Sequence, residues 1–333
     1  MTTLRPPQPD KPCVLITGGA GSFGQAFTRH LLSLPSPPRI RIYSRDEHKQ
    51  EQMARAFDDM RLTFILGDVR DVSQLTIAAD GCDAIVHAAA LKRVPAGEQN
   101  IIEFIRTNIG GSENVVQAAI AGRVPCTLLV SSDKAVAAVN AYGKTKAAAE
   151  EIFVQANRRG VSRRCRFAVI RGGNVWGSRG SVIEVWREAM QQHEPIQVND
   201  PGVTRFHLAM PAWCEFAWQA LREMRGGEIF VPKLRAWRLG DLVEALAYDT
   251  VHHNGARAGD KNSEWLIAPH ETRRAVDAGW CYVVEPSQEL RAVWNYQPWP
   301  GEKVPDGFGY RSDCVGRMTM DELREIIGYG DRS

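Results

Sequence analysis

Residues 13–34, reading "CVLITGGAGSFGQAFTRHLLSL", constrain this chain more than any other stretch. A short β-branched run ends in glycine at 13–19, and the segment 22–34 then sets Phe23, Phe27, Leu31 and Leu34 on one helical face. The order is strand, tight turn, helix. It continues: "RIRIYSR" (39–45), "LTFILGD" (62–68), "DAIVHAAA" (83–90), "TLLVSSD" (127–133) and "FAVIRGGNV" (167–175) read as buried strands. Helical segments fall between them at 48–57, 73–80, 99–121 and 142–159. Strands alternating with helices predict an α/β fold, a Rossmann-type doubly wound parallel sheet. Beyond residue 175 the rhythm changes, with helical patterns in "SVIEVWREAMQQ", "MPAWCEFAWQALREM" and "RLGDLVEALAYD" and a strand in "GGEIFVP".

Composition removes several classes of partner. The 333 residues, 44% hydrophobic and 24% charged, suffice for a full core, and 41 basic against 39 acidic residues give a net charge of only +2. No large field draws such a chain to nucleic acid or to an anionic membrane. The seven cysteines are scattered without a CxxC pair, which argues against a disulfide framework and against a metal site. No apolar run approaches a membrane span, and "MTTLRPPQPDKP" lacks the apolar stretch of a signal peptide, so the expectation is a cytoplasmic protein with a loose arm at 1–12.

In "TGGAGSFG", Thr17 to Gly24, glycines 18, 21 and 24 stand where a strand meets a helix. Only glycine lets the backbone turn this tightly and brings a helix N-terminus up to a pyrophosphate. Ser22 and Phe23 open that helix. This GxxGxxG spacing is the one used by short-chain dehydrogenase/reductase proteins. At the end of the second strand, where an NAD site places an acid against the ribose, "YSRDEHKQ" presents Ser44 and Arg45 first, with Lys49 behind them. A hydroxyl and a guanidinium suit a 2′-phosphate, so NADP is expected, with NAD kept open by Asp46. Asp68 and Val69 of "GDVRD" would bracket the adenine. The small run Ala88, Ala89 and Ala90 would pass beneath the nicotinamide ribose, or else serve as ordinary core.

"SSDKAVAAVNAYGKTK" (131–146) follows a strand at the carboxyl end of the sheet, where wound α/β folds bind ligands. Tyr142 and Lys146 lie one helical turn apart on one face. Lys146 can hold the nicotinamide ribose and lower the phenol's pKa, which makes Tyr142 a base near neutrality, while Ser132 steadies the same substrate oxygen. Asp133 and Lys134 exceed what simple oxidation requires. A ketone acidifies the neighbouring C–H bond, so one further base and acid can eliminate water: Lys134 as base if desolvation lowers its pKa, Asp133 as acid. A plain Asp–Lys ion pair is the alternative.

With these motifs in place, the sequence from about 13 to 328 resembles the inverting UDP-N-acetylglucosamine 4,6-dehydratases of the extended short-chain dehydrogenase/reductase superfamily, which open the route to pseudaminic acid. The resemblance rests on "ITGGAGSFG", "YSRDEHKQ", "GDVRD", "HAAALKRVP", "TNIGGSENV", "SSDKA", "NAYGKTK", "GNVWGSRGSV", "TRF" and "GGEIFVPK". Retaining sugar-nucleotide dehydratases carry Asp–Glu where this chain has Asp133–Lys134. The resemblance implies Asp133, Lys134 and Tyr142 as catalytic residues and Lys146 as the cofactor-holding lysine. It places Lys92 and Asn108 beside the cofactor, and Lys92, Asn174, Ser181, Arg205, Arg257 and Glu264 around a UDP-sugar. It further implies a homo-oligomer, dimer or hexamer. Three departures stand out: the family's Arg-Tyr-Gly-Asn-Val becomes "RGGNV", its prolines are absent from "AVAAVN", and Pro-Gly-Glu-Lys-Leu-His-Glu becomes "AGDKNSE" (258–264). The expected division is an NADP-binding lobe at 13–175, whose sheet receives later strands, and a smaller α/β substrate lobe at 176–333 interleaved with it. The alternatives are a dehydratase of another NDP-sugar, which the departure at 258–264 leaves open, and a sugar-nucleotide epimerase, which needs the Tyr–Lys pair but leaves Asp133 and Lys134 without a task. A non-catalytic NADP-binding regulator would not need the Tyr–Lys pair at all.

Overall fold

The computed structural model describes residues 11–178, 180–255 and 259–329. Its first half is the predicted alternation: β1 (Cys13–Thr17), α1 (Ser22–Leu32), β2 (Arg39–Ser44), α2 (Glu47–Phe57), β3 (Leu62–Leu66), α3 (Val72–Ala79) and β4 (Ala84–His87). The helix expected at 99–121 is broken into α4 (Val94–Gln99), α5 (Ile101–Phe104), a wide π-turn (Ile105–Gly110) and α6 (Gly111–Ala121). Asn100, at φ −129° and ψ 44°, leaves the helical region and makes the first break. β5 (Cys126–Ser132), α7 (Ala141–Gly160) and β6 (Arg166–Gly172) complete the series.

These strands stand parallel in the order β3-β2-β1-β4-β5-β6, so β1 is flanked by β2 and β4. Every residue of β1 is buried, as a central parallel strand covered on both faces requires. The chain then leaves through β7 (Asn174–Val175), α8 (Val182–Gln191), β8 (Ile196–Val198), β9 (Thr204–Leu208) and α9 (Met210–Glu223). β10 (Ile229–Pro232) returns parallel to β6. After β11 (Ala236–Arg238), α10 (Leu239–Leu246), β12 (Val251–His253) and β13 (Trp265–Ile267), the strands β14 (Ala275–Asp277) and β15 (Cys281–Val284) follow. α11 (Gln288–Trp294), β16 (Glu302–Lys303), β17 (Tyr310–Arg311) and α12 (Met320–Tyr329) end the described chain. The antiparallel strands β15, β14 and β16 extend the sheet beyond β10 to ten strands.

α9 does not join the second lobe. It packs on the face of the main sheet beside α1, with the Phe23 and Trp213 rings 6.3 Å apart edge to face. Gly172 makes this possible: a Cβ there would lie 2.9 Å from the Trp213 ring, so the indole occupies space that a side chain at 172 would need. The second lobe has its own core, built from Ile183 and Trp186 of α8, Ile196 and Val198 of β8, Trp237, Leu242 and Leu323.

Candidate active site

The crest of the sheet is built around glycine. Gly18 adopts φ +67°, and a Cβ on it would sit 2.8 Å from the Ala89 backbone; one on Gly24 would lie 2.4 Å from the Gly19 carbonyl oxygen. Glycine thus lets the β1 turn lie directly against the turn at 88–90 and brings α1 close behind it. Gly21 caps α1 with no side-chain hydrogen bond, and no acid stands in the first turn, so the positive end of the helix is uncompensated by side chains. This cradle fits a pyrophosphate. The neighbouring Thr17 and Phe23 turn away from it: the Thr17 hydroxyl meets His87 Nδ1 at 2.6 Å inside the sheet, and Phe23 stacks on Phe27 at 5.5 Å.

At the end of β2, Ser44 accepts from Gln50 Nε2 at 3.0 Å. Asp46 caps α2 by accepting from the Lys49 backbone N–H at 3.0 Å, and the Lys49 ammonium closes on the same carboxylate. Lys49 is therefore neutralised locally. Arg45 keeps only a 4.0 Å contact with Asp68 and is 57% exposed, which leaves its guanidinium available to an anion. Asp68 is desolvated, but Arg70 outweighs that effect with bonds of 2.9 and 2.6 Å and holds the carboxyl below its ordinary range. Val69 is buried against Gly111.

Asn108, carried inward by the π-turn, donates to Leu91 O at 2.9 Å and to Thr145 Oγ1 at 3.0 Å, and accepts from Leu91 N at 2.8 Å. It thereby fixes the 88–92 segment to α7, the helix of Tyr142 and Lys146. Asn140 caps that helix through Gly143 N at 2.9 Å. Lys146 is buried, and its ammonium donates to Val130 O at 2.8 Å; desolvation, opposed by Glu150, lowers its pKa to about 8. The expected lowering of Tyr142 does not occur in this arrangement. Burial pushes the phenol up to about 12, against the smaller pull of Lys134 and of the Ser132 hydroxyl.

Beyond β5 the chain makes a single 3₁₀ turn (Asp133–Ala135). Asp133 is fully buried; its Oδ1 accepts from Ser132 Oγ at 2.7 Å and from Lys134 Nζ at 3.0 Å, while Oδ2 has no hydrogen-bond partner. Burial raises its pKa. Lys134 also reaches Asn174 Oδ1 at 3.2 Å and Glu264 Oε1 at 3.6 Å. Desolvation pulls this ammonium down, yet Asp133 and Glu264 together outweigh it and the net direction is upward, contrary to the sequence-based expectation.

Around this turn the structure gathers residues far apart in the chain. Arg205 of β9 lies 3.9 Å from Glu264, and Lys261, which the sequence reading did not single out, pairs with Glu264 at 2.9 Å and donates to Val136 O at 2.7 Å. Lys92 stands at the edge of the site, where partial desolvation and the cations Arg93 and Lys134 lower its pKa against Glu184. Ser181 caps α8 through Glu184 N at 3.5 Å. Arg257 lies outside the described residues. Among those described, no cluster of His, Cys, Asp or Glu could hold a metal ion, no disulfide forms, and no helix is long and apolar enough to cross a membrane.

A glycine cradle at the crest of a parallel sheet, with Ser132 at the end of β5 and Tyr142 and Lys146 one turn apart on α7 behind it, defines the short-chain dehydrogenase/reductase class. Residues 14–286 match the family described as polysaccharide biosynthesis protein, and the chain belongs to it. The chain is 39% identical over 324 residues to a Campylobacter jejuni protein named UDP-N-acetylglucosamine 4,6-dehydratase (inverting), with 95% of this chain and 97% of the relative covered. It is 34% identical over 322 residues to a Rickettsia bellii UDP-glucose 4-epimerase, covering 94% of each. Among solved structures, Pen from Bacillus thuringiensis superposes with a TM-score of 0.88 at 30% identity, covering 96% of this chain and 98% of that one. The resemblance drawn from the motifs is thus borne out at the level of the family.

Proposed function

We propose that this chain is an NADP-dependent UDP-N-acetylglucosamine 4,6-dehydratase that inverts carbon 5. The observation that carries the reading is the contact of Lys134 Nζ with the buried carboxylate of Asp133 at 3.0 Å, beside Tyr142 and at the ligand-binding end of the sheet. Tyr142, whose raised phenol pKa would be drawn down by the positive charge of a bound oxidised nicotinamide beside Lys146, accepts the proton of the sugar's 4-hydroxyl, with Ser132 holding the same oxygen. A bound nicotinamide would take the carbon-4 hydride and return it at carbon 6, so no external reductant is consumed. Lys134 removes the carbon-5 proton made acidic by the adjacent ketone, and Asp133 protonates the departing 6-hydroxyl, which leaves as water. Reprotonation of carbon 5 from the opposite face, by the proton that Tyr142 took from the 4-hydroxyl and passes on directly or through water, inverts it and returns each residue to its starting state.

The rest position of the pair is an ammonium and a carboxylate. One proton moved along their hydrogen bond converts them into an amine and a carboxylic acid, the base and the acid that the elimination needs. An epimerase would have no use for this conversion.

Incubation with UDP-N-acetylglucosamine should give a product lighter by one water, and Tyr142→Phe should slow its formation by roughly 10²–10⁴-fold with binding retained. A changed epimer ratio without loss of mass would replace the reading with that of an epimerase; near-normal turnover by Tyr142→Phe would remove that residue from the mechanism. For the cofactor, the available Arg45 guanidinium supports a 2′-phosphate. Arg45→Ala should reduce the preference for NADP over NAD, measured as the ratio of their dissociation constants; an unchanged ratio would end the NADP assignment.

A further inference from the structure

Lys134 has three donors and meets three acceptors, on Asp133, Asn174 and Glu264. An ammonium so surrounded has no lone pair to offer carbon 5. The two carboxylates differ in what they can do about it. Asp133 is fully buried with one oxygen unpartnered, and burial raises its affinity for a proton. Glu264 is only 3% exposed, but Lys134, Lys261 and Arg205 surround it, and these cations outweigh its desolvation and keep it ionised. A proton leaving Lys134 therefore goes to Asp133. The exchange balances: one N–H bond breaks, one O–H bond forms, and the pair passes from charged to neutral with no change in net charge.

Glu264 remains an anion throughout, so its distance from Nζ governs how firmly Lys134 keeps its proton. We propose that Glu264, tethered by Lys261, is a positioning residue that sets the proton occupancy of Lys134, holding the lysine charged until substrate displaces the contact. The inference rests on Lys134 being the carbon-5 base. The tether is mechanical as well as electrostatic. Lys261 also bonds Val136 O at 2.7 Å, and Asn140 Nδ2 donates to Gly259 O at 3.1 Å, so residues 259–264 are fastened to the turn that bears Lys134. The remaining groups facing Lys134 are Arg205 from β9, Lys92 from the segment after β4, and Tyr142 from α7. The two cations favour the amine, so loss of Glu264 leaves them opposed only by Asp133.

The test is the pH dependence of deuterium uptake at carbon 5, measured in a single turnover with the full chain, NADP and UDP-N-acetylglucosamine in deuterated buffer. Glu264→Gln removes an anion and should move the acidic limb to lower pH by about one unit or more, roughly a tenfold gain in uptake on that limb. Lys261→Met removes a cation and should move the limb to higher pH. Opposite shifts support the proposal, since a merely structural role would lower the rate or the melting temperature and leave both midpoints in place. Unmoved midpoints, or shifts in the same direction, overturn it. If Glu264→Gln does not fold, Lys261→Met decides alone: an upward shift supports the proposal, and no shift or a downward one overturns it. A wild-type protein that takes up no deuterium and loses no water overturns the dehydratase reading itself, an outcome distinct from unmoved limbs.

Discussion

Two ion clusters stand side by side on neighbouring strands. Arg171 of β6 pairs across the sheet with Ser131 of β5, and Asp133 and Lys134 follow directly after β5. In the first cluster all five guanidinium N–H donors are used: Nε to Glu150 at 3.0 Å, Nη1 to Leu266 O at 3.0 Å and to Glu271 at 2.8 Å, and Nη2 to Glu150 at 2.7 Å and to Glu271 at 2.8 Å. Ser131 adds a 2.5 Å bond to Glu150, and the whole group is buried. In the second cluster the contacts are longer, one carboxylate oxygen is unpartnered, and the Lys134 side chain is 24% exposed. The planar fork of arginine locks a geometry, whereas a lysine beside an unsatisfied carboxylate can give up a proton. One cluster anchors the strand ends, and the other keeps an unsatisfied carboxylate oxygen beside a partly exposed ammonium.

Swapping a methionine into each cluster is the strongest way to break this contrast. Arg171→Met leaves Glu150 and Glu271 buried without a counter-charge and should destabilise the protein by about 3–5 kcal/mol, read as a lowered urea midpoint. Lys134→Met should abolish deuterium uptake at carbon 5 while shifting that midpoint far less, since Asp133 is already disposed to take up a proton. Equal losses of stability with uptake intact would make the two clusters the same kind of object.

A third buried group sharpens the comparison because it is uncharged. His87 lies between Thr17 at 2.6 Å and Ser112 at 3.2 Å, and desolvation, helped by Lys146, lowers its pKa to about 3. Between the ordinary value of about 6.5 and that value, the unfolded chain binds a proton that the folded chain does not. The stability His87 confers is therefore full above about pH 6.5 and drains as pH falls toward 3, with a slope of up to about 1.4 kcal/mol per pH unit. Urea midpoints at pH 7.5, 5.5 and 4.5 should show this decline, and His87→Gln should flatten it; an unchanged slope would assign acid sensitivity to the ion clusters instead.

The smallest effect concerns the turn that carries Lys134. Ala137 sits at φ +46°, a region unfavourable to alanine and tolerated by asparagine. Ala137→Asn should stabilise the protein by about 1 kcal/mol or less, seen in thermal melts. If stability rises while carbon-5 uptake falls, the reactive cluster depends on strain in its turn, as the arginine cluster does not.

The parts legible in the sequence are those whose cause is local. The glycine turn, the strand–helix alternation and the one-turn spacing of Tyr142 and Lys146 each follow from neighbours within a few residues. The π-turn that follows the break at Asn100 in the helix expected at 99–121 has no local signal, because Asn108 is held by Leu91, a partner 17 residues upstream. Asn140 was readable as a cap from its place before "AYGKTK", while Lys261 gave no local sign, its backbone partner Val136 being 125 residues away. The expected lowering of the Tyr142 and Lys134 pKa values failed for a related reason: spacing tells which groups are near, but burial and the approach of Glu264 decide which charge prevails.

By itself the sequence determined a wound parallel sheet, a glycine turn between its first strand and helix, and a segment after the fifth strand that places an acid and a lysine on a turn and a phenol on the helix behind it, because backbone propensity and periodicity act over short stretches of chain. The tertiary structure alone decided that Arg171 would be immobilised by residues 21 and 100 positions away, and that Lys134 would rest as a guarded ammonium between two carboxylates. Coulomb energies depend on distance and dielectric, and both exist only once the chain has folded.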